Sequence, residues 1–272
     1  MSQNLLADGI ADLLRTELSA APTESYLVNP SRETIEELVS VMSTLESPPS
    51  VNLLAAERPL KDVMDDFIVA SRAANLVDSD VLSIRTVENP PENALFVTDE
   101  EVVAIVGAGE TVAGLTTDDD EFVGSARERY DAIWESADEF GLRTPPLTEV
   151  RETLSTDISE ATATDFDEVL ASLQTARGNG DGLDEVTISL LVAAKNGELL
   201  YDISKWGEDI GLASKATFSR TKTKLEDMGL IDTEKVPIDV GRPRLRLMLG
   251  DDRLEDADSD QLANVAQSLL SS

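Results

Sequence analysis

The 272 residues carry 54 Asp and Glu against 22 Lys and Arg, a net charge of -32, while 41% are hydrophobic. That is too apolar for an acidic disordered chain, and the acids are spread along almost the whole length instead of forming one partner-mimicking tail. Cys and His are both absent, which excludes disulfides, thiolate or imidazole catalysis and the commonest zinc sites. A non-enzyme is expected, with no catalytic residue, metal or cofactor.

The charge fits a protein of a halophile. In molar salt the Debye length falls to roughly 3 Å, self-repulsion is screened and an acidic surface keeps the chain hydrated. Only 7 of the basic residues are Lys, which agrees with that source. No apolar run approaches the ~20 residues of a membrane span. Met1-Ser2-Gln3-Asn4 also lacks a basic signal-peptide start, so a cytoplasmic protein is expected.

In chain order, Leu6, Ile10, Leu13 and Leu14 predict an amphipathic helix over 4–19. Glu24–Val28 reads as a strand, and Asn29-Pro30-Ser31 starts a helix carrying Ile35, Leu38, Val39 and Met42, ended by Ser47-Pro48-Pro49-Ser50. Val51–Ala55 is a second strand. One long helix, Pro59 to Leu76, follows with Val63, Phe67, Ala70 and Ala74 inward. Strands are expected at Val81–Arg85, Ala94–Thr98, Glu101–Val106 and Thr111–Leu115, with Gly107-Ala108-Gly109 a hairpin turn rather than a phosphate loop. Asp118–Phe140 closes the unit as a helix with Phe122, Ala126, Tyr130, Ile133, Trp134 and Ala137 on its inner side. Asp118-Asp119-Asp120-Glu121 is read as negative charge for that helix's first turn in preference to a metal site. This order implies an α/β mixed-sheet domain over 1–142.

Residues 143–182 are expected to form a connector, with helices near 147–158 and 164–176 and the Gly-rich linker Arg177–Gly182. From 183 to 250 the pattern changes to short helices and tight turns. A helix over Asp184–Lys195 ends at Asn196-Gly197, Leu199–Tyr201 reads as a short strand, and Asp202 caps a helix with Ile203, Trp206 and Ile210 inward. Gly211-Leu212-Ala213 turns the chain, and Ser214 caps a helix burying Phe218, Leu225 and Met228. A hairpin, Ile231–Val236 and Arg244–Met248, carries Gly241-Arg242-Pro243-Arg244 near its tip. In 251–272 a last helix brings Leu262, Val265, Ala266 and Leu269 together, to pair with its copy or to pack on its own domain. The opening helix is the other dimer candidate.

Helix, strand, helix, three-residue turn, helix and two-stranded wing make a winged helix-turn-helix. The segments ISKWGEDIGLASKATFSRTKTKLEDMGLI (203–231) and VGRPRLRLML (240–249) resemble the core and wing of bacterial and archaeal regulators of that type. Ten of the 22 basic residues, and 6 of the 7 Lys, lie between Lys195 and Arg246. Their confinement points to double-stranded DNA as partner. The alternative is an assembly scaffold whose winged helix does not touch DNA. With Phe218 and Leu225 inward, the opposite face presents Ala216, Arg220 and Thr223, flanked by Thr217, Ser219 and Lys224. Arg220 is expected to read a guanine, with Thr217 and Ser219 as secondary readers. Lys215, Lys222 and Lys224 are expected to hold phosphates, and Arg242 and Arg244 to reach a minor groove. Solvent-facing strand positions are the plainer reading of Arg244 and Arg246.

The stretch ALFVTDEEVVAIV (94–106) and the closing helix with Tyr130 and Trp134 are similar to the phospholipase-D-like half that serves as sensor in TrmB-type archaeal regulators. As a whole the chain resembles haloarchaeal transcriptional regulators of the TbsP type, although TrmB-type proteins place the DNA-binding domain first and here it is last. The resemblance implies a metabolite-responsive regulator of central carbon metabolism genes. Phospholipase chemistry needs paired His, which this chain lacks, leaving a sensor or dimerisation platform. At the carboxyl ends of the strands, Asn29, Ser31, Arg58, Arg85 and Thr86 are candidates for an anionic effector such as a sugar phosphate, with the two arginines as a clamp. Surface ion pairing is the alternative for both arginines. A homodimer is expected, because a winged helix reading a palindrome needs a two-fold partner.

Overall fold

Gly9 divides the opening segment: Leu5–Ala7 (β1) enters a sheet, and the helix begins only at Ile10 (α1, Ile10–Ala20). The structure is a computed structural model describing residues 4–21, 24–109, 111–173, 176, 183–237 and 243–270. The chain folds as two units, Met1–Asp65 with Arg72–Leu142, and Asp66–Ser71 with Arg143–Ser272. The expected helix over 4–19 is thus a strand plus a shorter helix. Leu6, expected inward, is 75% exposed, because ladder pairing rather than helix phase sets its direction.

The chain continues with β2 (Glu24–Val28), α2 (Arg32–Thr44), β3 (Ser50–Ala55), α3 (Glu57–Met64) and α4 (Phe67–Asp78), whose residues up to Ser71 fall in the second unit. Then come β4 (Leu82–Thr86), β5 (Leu95–Val97), β6 (Val102–Ala108), β7 (Thr111–Thr117), α5 (Asp120–Ser136) and β8 (Asp138–Glu139). The sheet runs β1-β7-β6-β5-β2-β3-β4-β8; β2, β3 and β4 are parallel and the other pairings antiparallel. Their helical crossovers explain why β2 and β3 are buried almost throughout. The single helix expected over 59–76 is two, since the Asp66 carboxylate accepts the Ile68 amide at 2.9 Å and starts a new helix there.

α1 buries Leu13 and Leu14 against one face of the sheet. Gly114 makes room for it: a Cβ there would lie 2.9 Å from Val103 Cγ1 and 3.2 Å from Leu13 Cδ1. On the other face α5 packs Val123, Ala126 and Tyr130 with Tyr26, Val28, Leu54, Val97 and Val102. Asp119 caps α5 by accepting the Phe122 amide at 3.0 Å, and Asp120 and Glu121 sit in its first turn, in keeping with the reading of that acidic run. Phe122, expected inward, is 55% exposed because Val123 takes the inward phase. The helix stops at Ser136 rather than Phe140, since Asp138 and Glu139 pair with Thr86 and Arg85 of β4.

In the second unit α6 (Leu147–Thr153) runs into a π-helical turn, Leu154–Ile158. α7 (Glu160–Ser172) starts earlier than expected, because Ser159 caps it by accepting the Thr162 amide at 3.2 Å. Next come α8 (Glu185–Lys195), α9 (Leu200–Asp209), α10 (Lys215–Asp227), β9 (Ile231–Val236), β10 (Arg244–Leu249), α11 (Asp252–Glu255) and α12 (Ser259–Leu270). α8 is the hub, with Ile188, Leu190 and Val192 fully buried, and Val150, Leu154 and Phe166 of the preceding helical stretch belong to the same core. The strand expected at Leu199–Tyr201 is a single bridge, Leu199 to Arg246; Leu200 already begins α9. α12 packs on α7 through Leu262, Ala263 and Ala266. Both helices expected as dimer candidates thus spend their apolar faces within their own units. The linker expected at 177–182 lies outside the described residues. Among the described residues no helix is long and apolar enough to cross a membrane.

One acid lies in the first core. Glu17 on α1 is 6% exposed and hydrogen-bonds Glu101, next to β6. Burial, then the Glu101 charge, then that hydrogen bond push its carboxyl up from 4.5 to about 7. The folded state therefore keeps a proton that the unfolded chain releases, so stability falls as pH rises from about 4.5 to about 7 and stays lower above it. Glu17→Gln should melt with wild type at about pH 4 and a few degrees above it at about pH 8. A difference that does not change between those two melts would contradict this.

Candidate nucleic-acid interface

The helix-turn-helix is set by a close approach. A Cβ on Gly207 of α9 would collide with the Phe218 ring of α10, so only Gly lets the two helices meet there. Gly211 then takes φ 76, which lets the Leu212 amide reach the Gly207 carbonyl at 2.8 Å and closes α9. Ser214 caps α10 by accepting the Thr217 amide at 3.2 Å. Phe218 and Leu225 are buried as expected, whereas Met228 is 42% exposed. The helix ends at that point, and Leu230, whose amide reaches the Leu225 carbonyl at 2.9 Å, fills the inward place.

The outward face of α10 presents Ala216, Ser219, Arg220, Thr223 and Lys224, all exposed. Arg220 Nη2 donates to Thr217 Oγ1 at 3.3 Å, and Thr223 Oγ1 to the Ser219 carbonyl at 3.0 Å. Thr217 is half-buried, and its hydroxyl lies 3.0 Å from that of Ser214. Neither Arg220 nor Lys224 meets a carboxylate among the described residues. Lys222 differs from the phosphate-holding role expected of it. It follows Phe218 by one helical turn on the inward stripe, is 9% exposed, and its Nζ sits 2.7 Å from Glu226 Oε2. Glu226 also accepts from Thr233 at 2.9 Å, so this pair ties α10 to β9. The Lys222 ammonium and then the Thr233 hydroxyl hold the Glu226 carboxyl below its usual range.

Beside α10 lies an open groove of about 520 Å³, lined by Leu200, Tyr201 and Ser204 of α9, Lys215 and Ser219 of α10, and Pro243, Arg244 and Leu245 at β10. Lys215 Nζ is 2.6 Å from Glu208 Oε2, and this hydrogen bond raises the ammonium pKa and lowers that of the carboxyl. Arg244 Nη1 is 2.9 Å from Asp202 Oδ1, and its guanidinium lies 4.1 Å from the centre of the Tyr201 ring. Asp202, expected to cap α9, is inside its first turn instead, because the helix starts at Leu200. Arg246 faces its cross-strand partner Glu234 at 3.7 Å. Arg242 lies outside the described residues. Tyr201, Asp202 and Glu208 carry no motif that sequence reading could have tied to this groove.

In the first unit the candidate effector residues are mostly occupied. The Asn29 amide donates to the Pro91 carbonyl at 2.6 Å, and Ser31 caps α2. Thr86 donates to the Asp138 carbonyl at 3.3 Å. Arg85 donates to the Trp134 carbonyl and stacks 4.7 Å from that ring's centre, which commits half of the expected clamp. Arg58 alone is exposed with no ion-pair partner among the described residues.

Two family models match the chain: "Transcriptional regulator TbsP-like, N-terminal" over residues 2–145, and "Transcriptional regulator TbsP-like, C-terminal HTH domain" over residues 146–267. Among solved structures, one described as "Structure of TrmBL2, an archaeal chromatin protein, shows a novel mode of DNA binding" is 14% identical, with 51% of this chain and 54% of that one covered at a TM-score of 0.36. NucT from Helicobacter pylori is 15% identical, with 51% of this chain and 99% of that one covered at 0.33. The chain thus spans about half the length of the TrmBL2 chain. At that similarity neither structure fixes a function. No curated protein matches.

Because Gly207 sets how α10 meets α9, Gly207→Ala should destabilise the second unit by about 1–3 kcal/mol through overpacking. It should also weaken duplex binding at temperatures where the protein remains folded. A melt and an anisotropy titration both indistinguishable from wild type would show that the contact does not position the helix.

Proposed function

The chain belongs to the TbsP-like family of transcriptional regulators, and from that premise we propose that α10 enters the major groove of its DNA site and reads it in sequence. The observation that carries this is the pair Arg220 and Lys224: exposed, without carboxylate partners among the described residues, on a helix with no acid from Lys215 to Leu225. In a chain with 54 acids, such a face has a use in meeting a polyanion. Arg220, in the N-terminal half of α10, is the base reader, Ala216, Ser219 and Thr223 line the same face, and Lys224 is a phosphate contact. Lys215 and Arg244 flank the face from the groove beside it. Control of central carbon metabolism genes, a halophilic setting and response to a metabolite complete the reading. Its effector part rests on Arg58, in the first turn of α3.

A palindromic site calls for a homodimer. With α1 and α12 used internally, the apolar surface that supports one is on the sheet. Leu6 and Val106 both stand opposite Ala113 in register, and Leu115 follows on the same face two residues along β7. The three are 75%, 46% and 48% exposed, beyond the part of that face where α5 packs. A chain of net charge -32 meets its copy at least cost where both surfaces are uncharged.

Two measurements test this. In an anisotropy titration against promoter duplexes, Arg220→Ala should lower affinity by about 1–3 kcal/mol and relax preference at one base pair, while Lys224→Ala should weaken all sequences alike. Equal losses on specific and random DNA for both variants would remove the division of roles. By light scattering, wild type should be a dimer and Leu115→Glu a monomer near 29.3 kDa. A Leu115→Glu dimer would place the interface elsewhere.

A further inference from the structure

The groove between α9, α10 and β10 is lined by two cations that the DNA-binding reading uses, and each is paired with an acid, Glu208 or Asp202, that it does not use. Lys215 and Glu208 have side chains 42% and 45% exposed, Arg244 and Asp202 34% and 40%, so a third charged group can reach either pair. Arg244 is already oriented by the Tyr201 ring, which leaves its planar guanidinium set for another anion when the carboxylate departs. Ser219 adds an exposed hydroxyl to the same groove, which is wide enough for a phosphodiester.

We infer that this groove seats a DNA backbone phosphate, and that Glu208 and Asp202 are its resident counter-anions, displaced when duplex binds. The inference rests on the DNA-binding reading above and assigns to it two residues that set affinity without touching DNA. The exchange is anion for anion. The phosphate gains Lys215 and Arg244, and two carboxylates are left bare beside a polyanion. An ordinary cationic contact releases about 0.9 counterion from the duplex. Here each release is partly offset by the cation that the freed carboxylate attracts from solution. Affinity therefore falls less steeply with salt than the number of cationic contacts demands, which suits a chain with this excess of acid.

Glu208→Gln and Asp202→Asn, singly and together, keep side-chain shape at exposed positions and remove only the competing charge. Anisotropy with a labelled mixed-sequence duplex, from about 0.1 M to about 1 M KCl, reads the effect. Each substitution should tighten binding at the low end by about threefold to tenfold. Each should also steepen the fall of log K with log salt, by up to about 0.9. Glu255→Gln, which removes the same charge from α11 outside the groove, should change neither by as much. If the groove variants bind as wild type does, slope included, or if Glu255→Gln matches them, the resident counter-anions are refuted while DNA binding stands. If no form binds duplex at any salt, the DNA-binding reading fails, and this inference with it.

Discussion

With 54 carboxylates competing for 22 cations, an ammonium or guanidinium group that folds within reach of an acid is taken by one, because no surplus of positive charge is left to compete for it. In the second unit Lys205, Lys215, Lys222, Arg244 and Arg246 meet Asp209, Glu208, Glu226, Asp202 and Glu234 in turn. Arg220 and Lys224 escape because their helix offers no acid before Glu226, and Glu226 is turned onto Lys222 and Thr233. What leaves this face cationic is the local absence of acid more than the presence of base.

The helix-turn-helix was legible where its determinants are local. Ser214 as cap, Gly211 in the turn and the Phe218–Leu225 stripe are all short-range signals, and each has the role its residue type suggests. The period misled at the helix end, where Met228 continues the stripe by spacing but the chain has already turned and Leu230 fills the core. The groove was not legible. Arg244 and Asp202 are 42 residues apart, and Asp202 has the residue type of a cap although the real cap position, Leu199, lies three residues earlier.

In the first unit the mixed sheet followed from strand order and turn residues, and its edges did not. β1 and β8 are three and two residues long, stabilised by pairing with β7 and β4 rather than by any pattern of their own. Leu6 therefore reads as part of the opening helix, and Asp138 as part of the helix that closes the unit. Residues named for an anion at the strand ends make internal contacts: Asn29 with the Pro91 loop, Ser31 with a helix start and Arg85 with the Trp134 ring. Polar residues at strand ends are read equally well by an effector and by the loops that must be fastened there.

Burial separates the cations that can change partners from the one that cannot. Lys222 is 9% exposed on the inward stripe of α10 and its carboxylate is also bonded to Thr233, so reaching a phosphate would mean pulling the lysine stem out of its packing. Lys215 and Arg244 have water on their pairs already, and exposed pairs contribute little to folding, so the exchange loses little. A duplex presents a charge about every 1.7 Å, which sets an array of phosphates against a single carboxylate at each site. Lys215, Lys222 and Lys224 carry the same charge on one helix, and the sequence sets apart only Lys222, which falls one turn after Phe218 on the inward stripe. Their three settings, an exposed pair, a buried ammonium tied to β9 through Glu226 and no acid partner among the described residues, come from the acid that each does or does not reach and from how much water remains there.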